Sequence, residues 1–177
     1  MIRECSMHSV AKIYATLLHM KRLPHYLATL LITAWVGGLW AIGYLAAPVL
    51  FTAQPDRQLA GLLAGQMFTW ISYLGMVCGT YLLWHRLSMF DRSSERTKIV
   101  GIIVSMLFIT LILQYGTQPM MATLKAQALP LEVMQSPLAG RFKAMHGVSS
   151  ILYLIQSLLG AFLLFKTNCI QLIKSSA

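Results

Sequence analysis

The sequence predicts an all-α, polytopic membrane protein: a bundle of four transmembrane helices with both termini in the cytoplasm. Composition, four long uncharged stretches and the placement of basic residues support this prediction. Of 177 residues, 57% are apolar and 11% are charged, against about 45–50% and about 25% in a soluble domain. The net charge of +9 comes from residues at the ends of apolar runs. That pattern favours an anionic bilayer surface, and not nucleic acid, as the partner.

Four stretches lack Asp, Glu, Lys and Arg and are long enough to cross a hydrocarbon core of about 30 Å, which takes about 20 helical residues. They cover residues 23–55, 58–84, 99–124 and 144–165. Because they are continuous rather than alternating, helices are favoured over a barrel. We expect a membrane domain over residues 25–166, with spans near 26–50, 60–84, 99–118 and 145–165.

The segments that flank this domain are a leader, residues 1–24, and a cytoplasmic tail, residues 167–177. Apolar residues of the leader recur at helical spacing beside basic ones, as in an amphipathic helix on a membrane surface. Alternatively, translation starts at Met20, just before basic residues and a span. The first apolar stretch is too long for the core of a cleaved signal peptide, so we expect an uncleaved helix.

The Lys and Arg residues outside the spans predict how the chain is oriented in the membrane. Ten of the 14 Lys and Arg residues precede the first span, lie between the second and third, or follow the fourth; the other four lie on the opposite side. Basic loops remain in the cytoplasm. The sequence therefore predicts that the chain starts and ends there.

The second span carries a row of small residues. Its two Gly-x-x-x-Gly motifs, Gly61 with Gly65 and Gly75 with Gly79, lie on one side of a helix. Small residues let helix backbones approach closely inside a membrane. We expect a packing seam against a helix of the same chain or of a second copy.

Uncharged polar residues recur at helical spacing in the fourth span, and the other three spans add polar residues of their own. If their faces converge, the bundle has a polar interior, which serves either interhelical hydrogen bonding or a lined cavity for a ligand. The candidates for this interior are Gln66, Tyr73, Gln114, Gln118, His146, Ser149, Tyr153 and Gln156.

No Asp, Glu, Lys or Arg lies inside an expected span. Ion-coupled transporters and proton relays usually place such groups in the membrane, so this class is disfavoured. Nothing resembles a nucleophile–base pair, paired carboxylates or a phosphate loop. We expect no catalytic residues and no cofactor.

Histidines and methionines leave a haem or copper alternative open. His25 and His85 lie near the same ends of the first two spans, where a pair could hold haem. Met145 and His146 begin the fourth span, and thioether with imidazole suits Cu(I). Solvated histidines and ordinary apolar methionines explain the same residues without a metal.

The first expected span contains Trp35-Val-Gly37-Gly38 and Ala47-Pro48-Val-Leu50-Phe51, and a run from Arg141 to Ser149 that contains His146-Gly147 opens the fourth. In these motifs, and in its four spans, the chain resembles the transmembrane protein 205-like family, whose bacterial members are known as domain of unknown function 4149. The resemblance covers roughly residues 26–165. It implies a four-helix, multi-pass protein of the bacterial inner membrane with no established activity.

A weaker likeness exists to copper-resistance membrane proteins and to the four-helix protoporphyrinogen oxidase family. That oxidase pattern has Arg after the proline and His shortly before the tryptophan, whereas here Val49 follows Pro48 and His25 lies well before Trp35. The sequence thus predicts a non-enzymatic scaffold, binding or accessory subunit. The alternatives are a haem- or copper-linked envelope protein and a small exporter subunit that acts as an oligomer.

Overall fold

A computed structural model describes residues 23–24, 26–88, 94–129 and 131–175, with side chains up to Thr167. Four long helices account for nearly all of this part of the chain. We number them α1, Tyr26–Ala53; α2, Arg57–Ser88; α3, Ser94–Ala128; and α4, Ala139–Ser175. The leader up to residue 22 and His25 lie outside the described residues, as do the side chains of the tail after Thr167.

The four helices are long and apolar enough to cross a membrane, and the described chain contains no β-strand. Large side chains cover their outer surface: Trp70 is 73% exposed and Phe165 is 77% exposed. Such surfaces suit contact with lipid, and helices satisfy their own backbone hydrogen bonds there. The prediction of an all-α, four-helix membrane bundle is confirmed, and the protein is an integral, multi-pass membrane protein.

Consecutive helices are antiparallel neighbours, and α4 returns to α1 and closes the bundle. We call the end where α1 begins and α4 finishes the terminal end, and the opposite end the loop end. At the loop end, the Asp56 carboxylate accepts hydrogen bonds from the amides of Gln58 and Leu59, at 2.8 and 3.1 Å. It thereby caps α2, whose first amides have no partner within the helix.

The Trp35 side chain packs in the middle of the bundle and is fully buried. Its indole lies against α2, where a Cβ on Gly75 would be 2.9 Å from Cε2 and one on Gly79 would be 3.0 Å from Cη2. At Gly160 of α4, a Cβ would lie 2.9 Å from Val36. The glycines therefore admit large side chains of α1 between the helices. Toward the terminal end, the core consists of Ala28, Ile32, Cys78, Leu82, Ile99, Ile103 and Leu163.

Two helices contain a π-helical turn before a proline: Ala41–Ala46 in α1 precedes Pro48, and Ile112–Thr117 in α3 precedes Pro119. The residue after each turn donates its amide to a carbonyl five residues back. Proline has no amide to donate and would leave a carbonyl unpaired in an α-helix. The wider turns shift the hydrogen-bond register there, so both helices continue through their prolines.

Candidate functional site

A group of polar side chains lies in the bundle between the Trp35 layer and the loop end. We call Thr110, Gln114, Tyr153, Gln156 and Ser157 the polar core. Gln156, which is 1% exposed, donates from Nε2 to Thr110 Oγ1 at 2.8 Å. The Thr110 hydroxyl in turn donates to a carbonyl of its own helix at 2.9 Å. These bonds tie α4 to α3 through uncharged groups alone.

Tyr153 ties α4 to α1 in the same region. Its hydroxyl donates to the Leu39 carbonyl at 2.6 Å. A Cβ on Gly43 would lie 2.9 Å from Cζ of the tyrosine ring, so only glycine leaves room for this ring against α1. The rings of Phe68 and Tyr44 meet it edge-on, with centroids at 5.3 and 6.3 Å. Tyr153 is therefore fixed by contacts with two neighbouring helices.

Several buried polar atoms in and beside this group have no hydrogen-bond partner within the described protein. They are Gln114 Oε1, Gln156 Oε1, Ser157 Oγ and Trp35 Nε1. An orphaned buried polar atom costs about 1–3 kcal/mol, and in native proteins ordered water or a ligand usually pairs with it. The polar core thus combines fixed side chains with unused hydrogen-bonding capacity.

Both π-helical turns border the polar core. The turn in α1 contains Gly43, which receives the Tyr153 ring, and the turn in α3 contains Gln114. Such turns are frequent at functional sites because the widened backbone re-aims side chains and carbonyls. Here they coincide with the level at which the bundle changes from apolar to polar.

The structure places the other candidates for the polar interior away from this group. Gln66, Tyr73 and His146 are exposed on the outer surface of the bundle, and Gln118 and Ser149 are half-buried. The Ser149 hydroxyl donates to the Met145 carbonyl of its own helix at 2.9 Å. Of the eight residues, Gln114, Tyr153 and Gln156 lie in the polar core.

The glycines of α2 contact helices of the same chain. Gly75 and Gly79 lie against Trp35, as described above. Gly61 receives a side chain instead of a helix backbone, since Lys125 of α3 donates from Nζ to its carbonyl at 3.1 Å. Gly65 is more open, with Gln118 Oε1 3.9 Å from the position of a Cβ.

Of the residues considered for haem or copper, the structure describes His85, Met145 and His146, whereas His25 lies outside the described residues. The exposed His146 ring stacks on Phe142 with a centroid separation of 6.1 Å. Met145 lines a shallow groove between α3 and α4. The described part of the chain contains no group of three or more His, Cys, Asp or Glu side chains suited to a metal. His85 is buried and stacks on Tyr81.

Two contacts in this region were not predicted from the sequence. Tyr153 donates to the backbone carbonyl of Leu39. The Lys125 ammonium donates to the backbone carbonyl of Gly61 and also lies 5.7 Å from the centroid of the Phe142 ring. Backbone acceptors leave no mark in a sequence. The only available signals were Gly43 and Gly61, which provide the space for each contact.

The described polar core offers hydroxyl, phenol and amide groups, which donate and accept hydrogen bonds. It contains no carboxylate, amine, guanidinium or imidazole. Its chemistry therefore suits recognition of a neutral polar group. Proton transfer would require a group that titrates near neutral pH.

Comparison with known proteins identifies the family of the chain but does not identify an activity. Residues 30–130, more than half of the chain, match the family described as Domain of unknown function (DUF4149). No curated protein and no solved structure matches the chain. The match supports the DUF4149 part of the resemblance seen in the sequence and does not extend to the transmembrane protein 205-like part. The chain belongs to the DUF4149 family of membrane proteins of unknown function.

Proposed function

We propose that the protein is a non-enzymatic membrane binding protein that holds a small uncharged molecule in its polar core. The observation that carries this proposal is the set of buried, unpartnered atoms of Gln114, Gln156 and Ser157. Two of these atoms are amide oxygens, which only accept hydrogen bonds. The molecule bound there therefore carries a hydrogen-bond donor, such as a hydroxyl or an amide.

The environment of these atoms favours an uncharged occupant. A charged ligand would need an opposite charge to offset the loss of its hydration, and the polar core contains none. A neutral donor, in contrast, relieves about 1–3 kcal/mol for each orphaned acceptor that it satisfies. Fixed partners such as Tyr153 keep the site preorganised, which lowers the entropy cost of binding.

The test compares molecules that co-purify with the full-length protein and with two variants in mild detergent. Gln156→Leu replaces the amide by an apolar side chain of similar size. Ile155→Leu is the matched control, because Ile155 precedes it on the same helix and faces outward. Solvent extracts are analysed by mass spectrometry. We expect a near-stoichiometric small molecule in the wild-type and Ile155→Leu samples and its loss from Gln156→Leu. Three identical extracts would refute binding in the polar core.

We further propose that the terminal end faces the cytoplasm of a bacterial inner membrane. The excess of Lys and Arg at this end supports this orientation, since basic loops are retained in the cytoplasm. A fluorescent protein fused after Ala177 should fold and fluoresce, whereas a periplasmic phosphatase fused there should be inactive. The reverse pattern would invert the orientation.

The two rival functions predict different observations. A haem- or copper-linked envelope protein gives a Soret band or bound copper after purification from cells supplied with both. An exporter subunit is a stable oligomer, so crosslinking in native membranes gives species larger than the monomer. We expect neither the metal signals nor the larger species for a self-contained binding bundle. Either result would replace the proposal with the corresponding rival.

A further inference from the structure

A groove at the loop end lies outside the polar core and has a different chemistry. It runs between the last turns of α3 and the first turns of α4, and it has a volume of about 450 Å³. Five of its six lining residues are apolar. The lining residues are Met120, Leu124, Arg141, Ala144, Met145 and Val148.

The polar and apolar parts of the groove are separated along the bundle axis. Arg141 lies in the first turn of α4, and Val148 lies seven residues further along the helix toward the middle of the bundle. With a rise of 1.5 Å per residue, this places the Cα of Arg141 about 10 Å nearer the loop end. The groove therefore has a cationic outer end and apolar walls that extend into the membrane-spanning part of the bundle.

The charge at the outer end is available for a ligand. Arg141 is exposed and forms no ion pair with the described residues. The sequence around the loop end contains four basic residues and two acidic ones, and one of the acids, Asp56, is engaged in capping α2. A guanidinium binds phosphate through two parallel hydrogen bonds. The outer end of the groove is therefore suited to bind an anionic group.

We propose that this groove binds an anionic phospholipid, with the headgroup phosphate on Arg141 and part of an acyl chain against Ala144, Met145 and Val148. The order of the two parts matches the way a phospholipid stands in a bilayer, with its phosphate at the interface and its chain directed inward. The methionines suit this role because their flexible side chains adapt to an irregular chain. The site is independent of the polar core and of its occupant.

The test is native mass spectrometry of the full-length protein in detergent, titrated with phosphatidylglycerol or with phosphatidylcholine carrying the same acyl chains. One cation near a membrane surface accounts for about a fivefold difference in affinity for an anionic lipid. We expect Arg141→Gln to weaken phosphatidylglycerol binding about fivefold and phosphatidylcholine binding less, because the choline cation offsets the charge of the phosphate that both lipids carry. The control Lys143→Gln removes a nearby exposed charge that does not line the groove, so this variant should lose clearly less affinity for phosphatidylglycerol than Arg141→Gln.

A second variant tests the apolar part without changing the charge. Ala144→Phe fills the groove with a side chain at an exposed position and should weaken the binding of both lipids. Equal losses in Arg141→Gln and Lys143→Gln would show diffuse attraction to the surface and overturn the proposal. So would wild-type lipid binding in Ala144→Phe, given an unchanged helical circular dichroism spectrum.

Discussion

The contact between Trp35 and Gly75 gives the sharpest prediction about how this bundle holds together. In Gly75→Ala, the new Cβ would lie 2.9 Å from Cε2 and 3.1 Å from Cδ1 of an indole that is fully buried. The ring is rigid and fully buried, so α1 and α2 have to separate slightly to admit the methyl group. Such overpacking costs about 1–3 kcal/mol.

The expected loss of stability in Gly75→Ala is estimated by comparison with Gly101→Ala in α3. A Cβ at Gly101 meets nothing within 4 Å, so that substitution brings only the higher helix propensity of alanine, about 1 kcal/mol. Gly75→Ala brings the same gain and adds the clash. The free energies of unfolding of the two variants should therefore differ by about 1–3 kcal/mol, with Gly75→Ala the less stable.

The assay is unfolding of the detergent-solubilised protein by sodium dodecyl sulfate, followed by far-ultraviolet circular dichroism. A double-mutant cycle with Trp35→Phe tests whether the loss of stability comes from the clash with Trp35, because phenylalanine lacks the indole nitrogen that the new methyl group overlaps. The cost of Gly75→Ala should fall in that background. Equal stabilities for Gly75→Ala and Gly101→Ala would refute the proposed contact.

The remaining predictions use the same unfolding assay. Tyr153→Phe removes the 2.6 Å hydrogen bond to the α1 backbone and should cost about 0.5–1.5 kcal/mol, whereas Tyr73→Phe, at an exposed position, should cost nothing measurable. Lys125→Met keeps the apolar stem but loses the 3.1 Å bond to the Gly61 carbonyl, for an expected loss of about 1 kcal/mol; an unchanged midpoint would refute it. Glu95→Gln breaks two partly exposed salt bridges with lysines and should lower the unfolding midpoint only slightly, and less at high salt; a large, salt-independent loss would contradict a surface role.

Hydropathy was sufficient to predict the fold because the bilayer imposes a long apolar run on every spanning helix. It could not predict which way each helix is rotated. Ala64 and Gly75 of α2 face the bundle, and Gln66 lies two residues, or roughly 200° of helix, after Ala64. Tyr73 lies two residues before Gly75 and is therefore turned away from the bundle by the same angle. Both side chains are exposed for this reason, although their spacing from other polar residues suggested convergence.

The polar core was only partly foreseeable for a related reason. Gln114, Tyr153 and Gln156 stand out in the sequence as polar residues within apolar spans. Thr110 stands out in the same way, but the sequence could not pair it with Gln156. The acceptor for Tyr153 could not be predicted either, because every residue has a backbone carbonyl and nothing in the sequence marks that of Leu39. The π-helical turns are equally hidden, since proline predicts a disturbance of the helix without specifying its form.

The π-helical turns before Pro48 and Pro119 divide the bundle into halves of different structure. Tyr44-x-x-x-Pro48 in α1 and Tyr115-x-x-x-Pro119 in α3 have the same spacing, and each proline follows a π-helical turn at the level of the polar core. Toward the terminal end, the helices are regular and the core is mainly apolar, with His85 and Thr167 as buried polar residues. Toward the loop end lie the widened turns, the unpartnered amide oxygens and the groove lined by Arg141. A rigid apolar half can anchor the helices while the other half accommodates a ligand, because substitutions in one need not disturb packing in the other. Both proposed binding sites therefore lie in the loop-end half, and it is there that a search for a ligand should be directed.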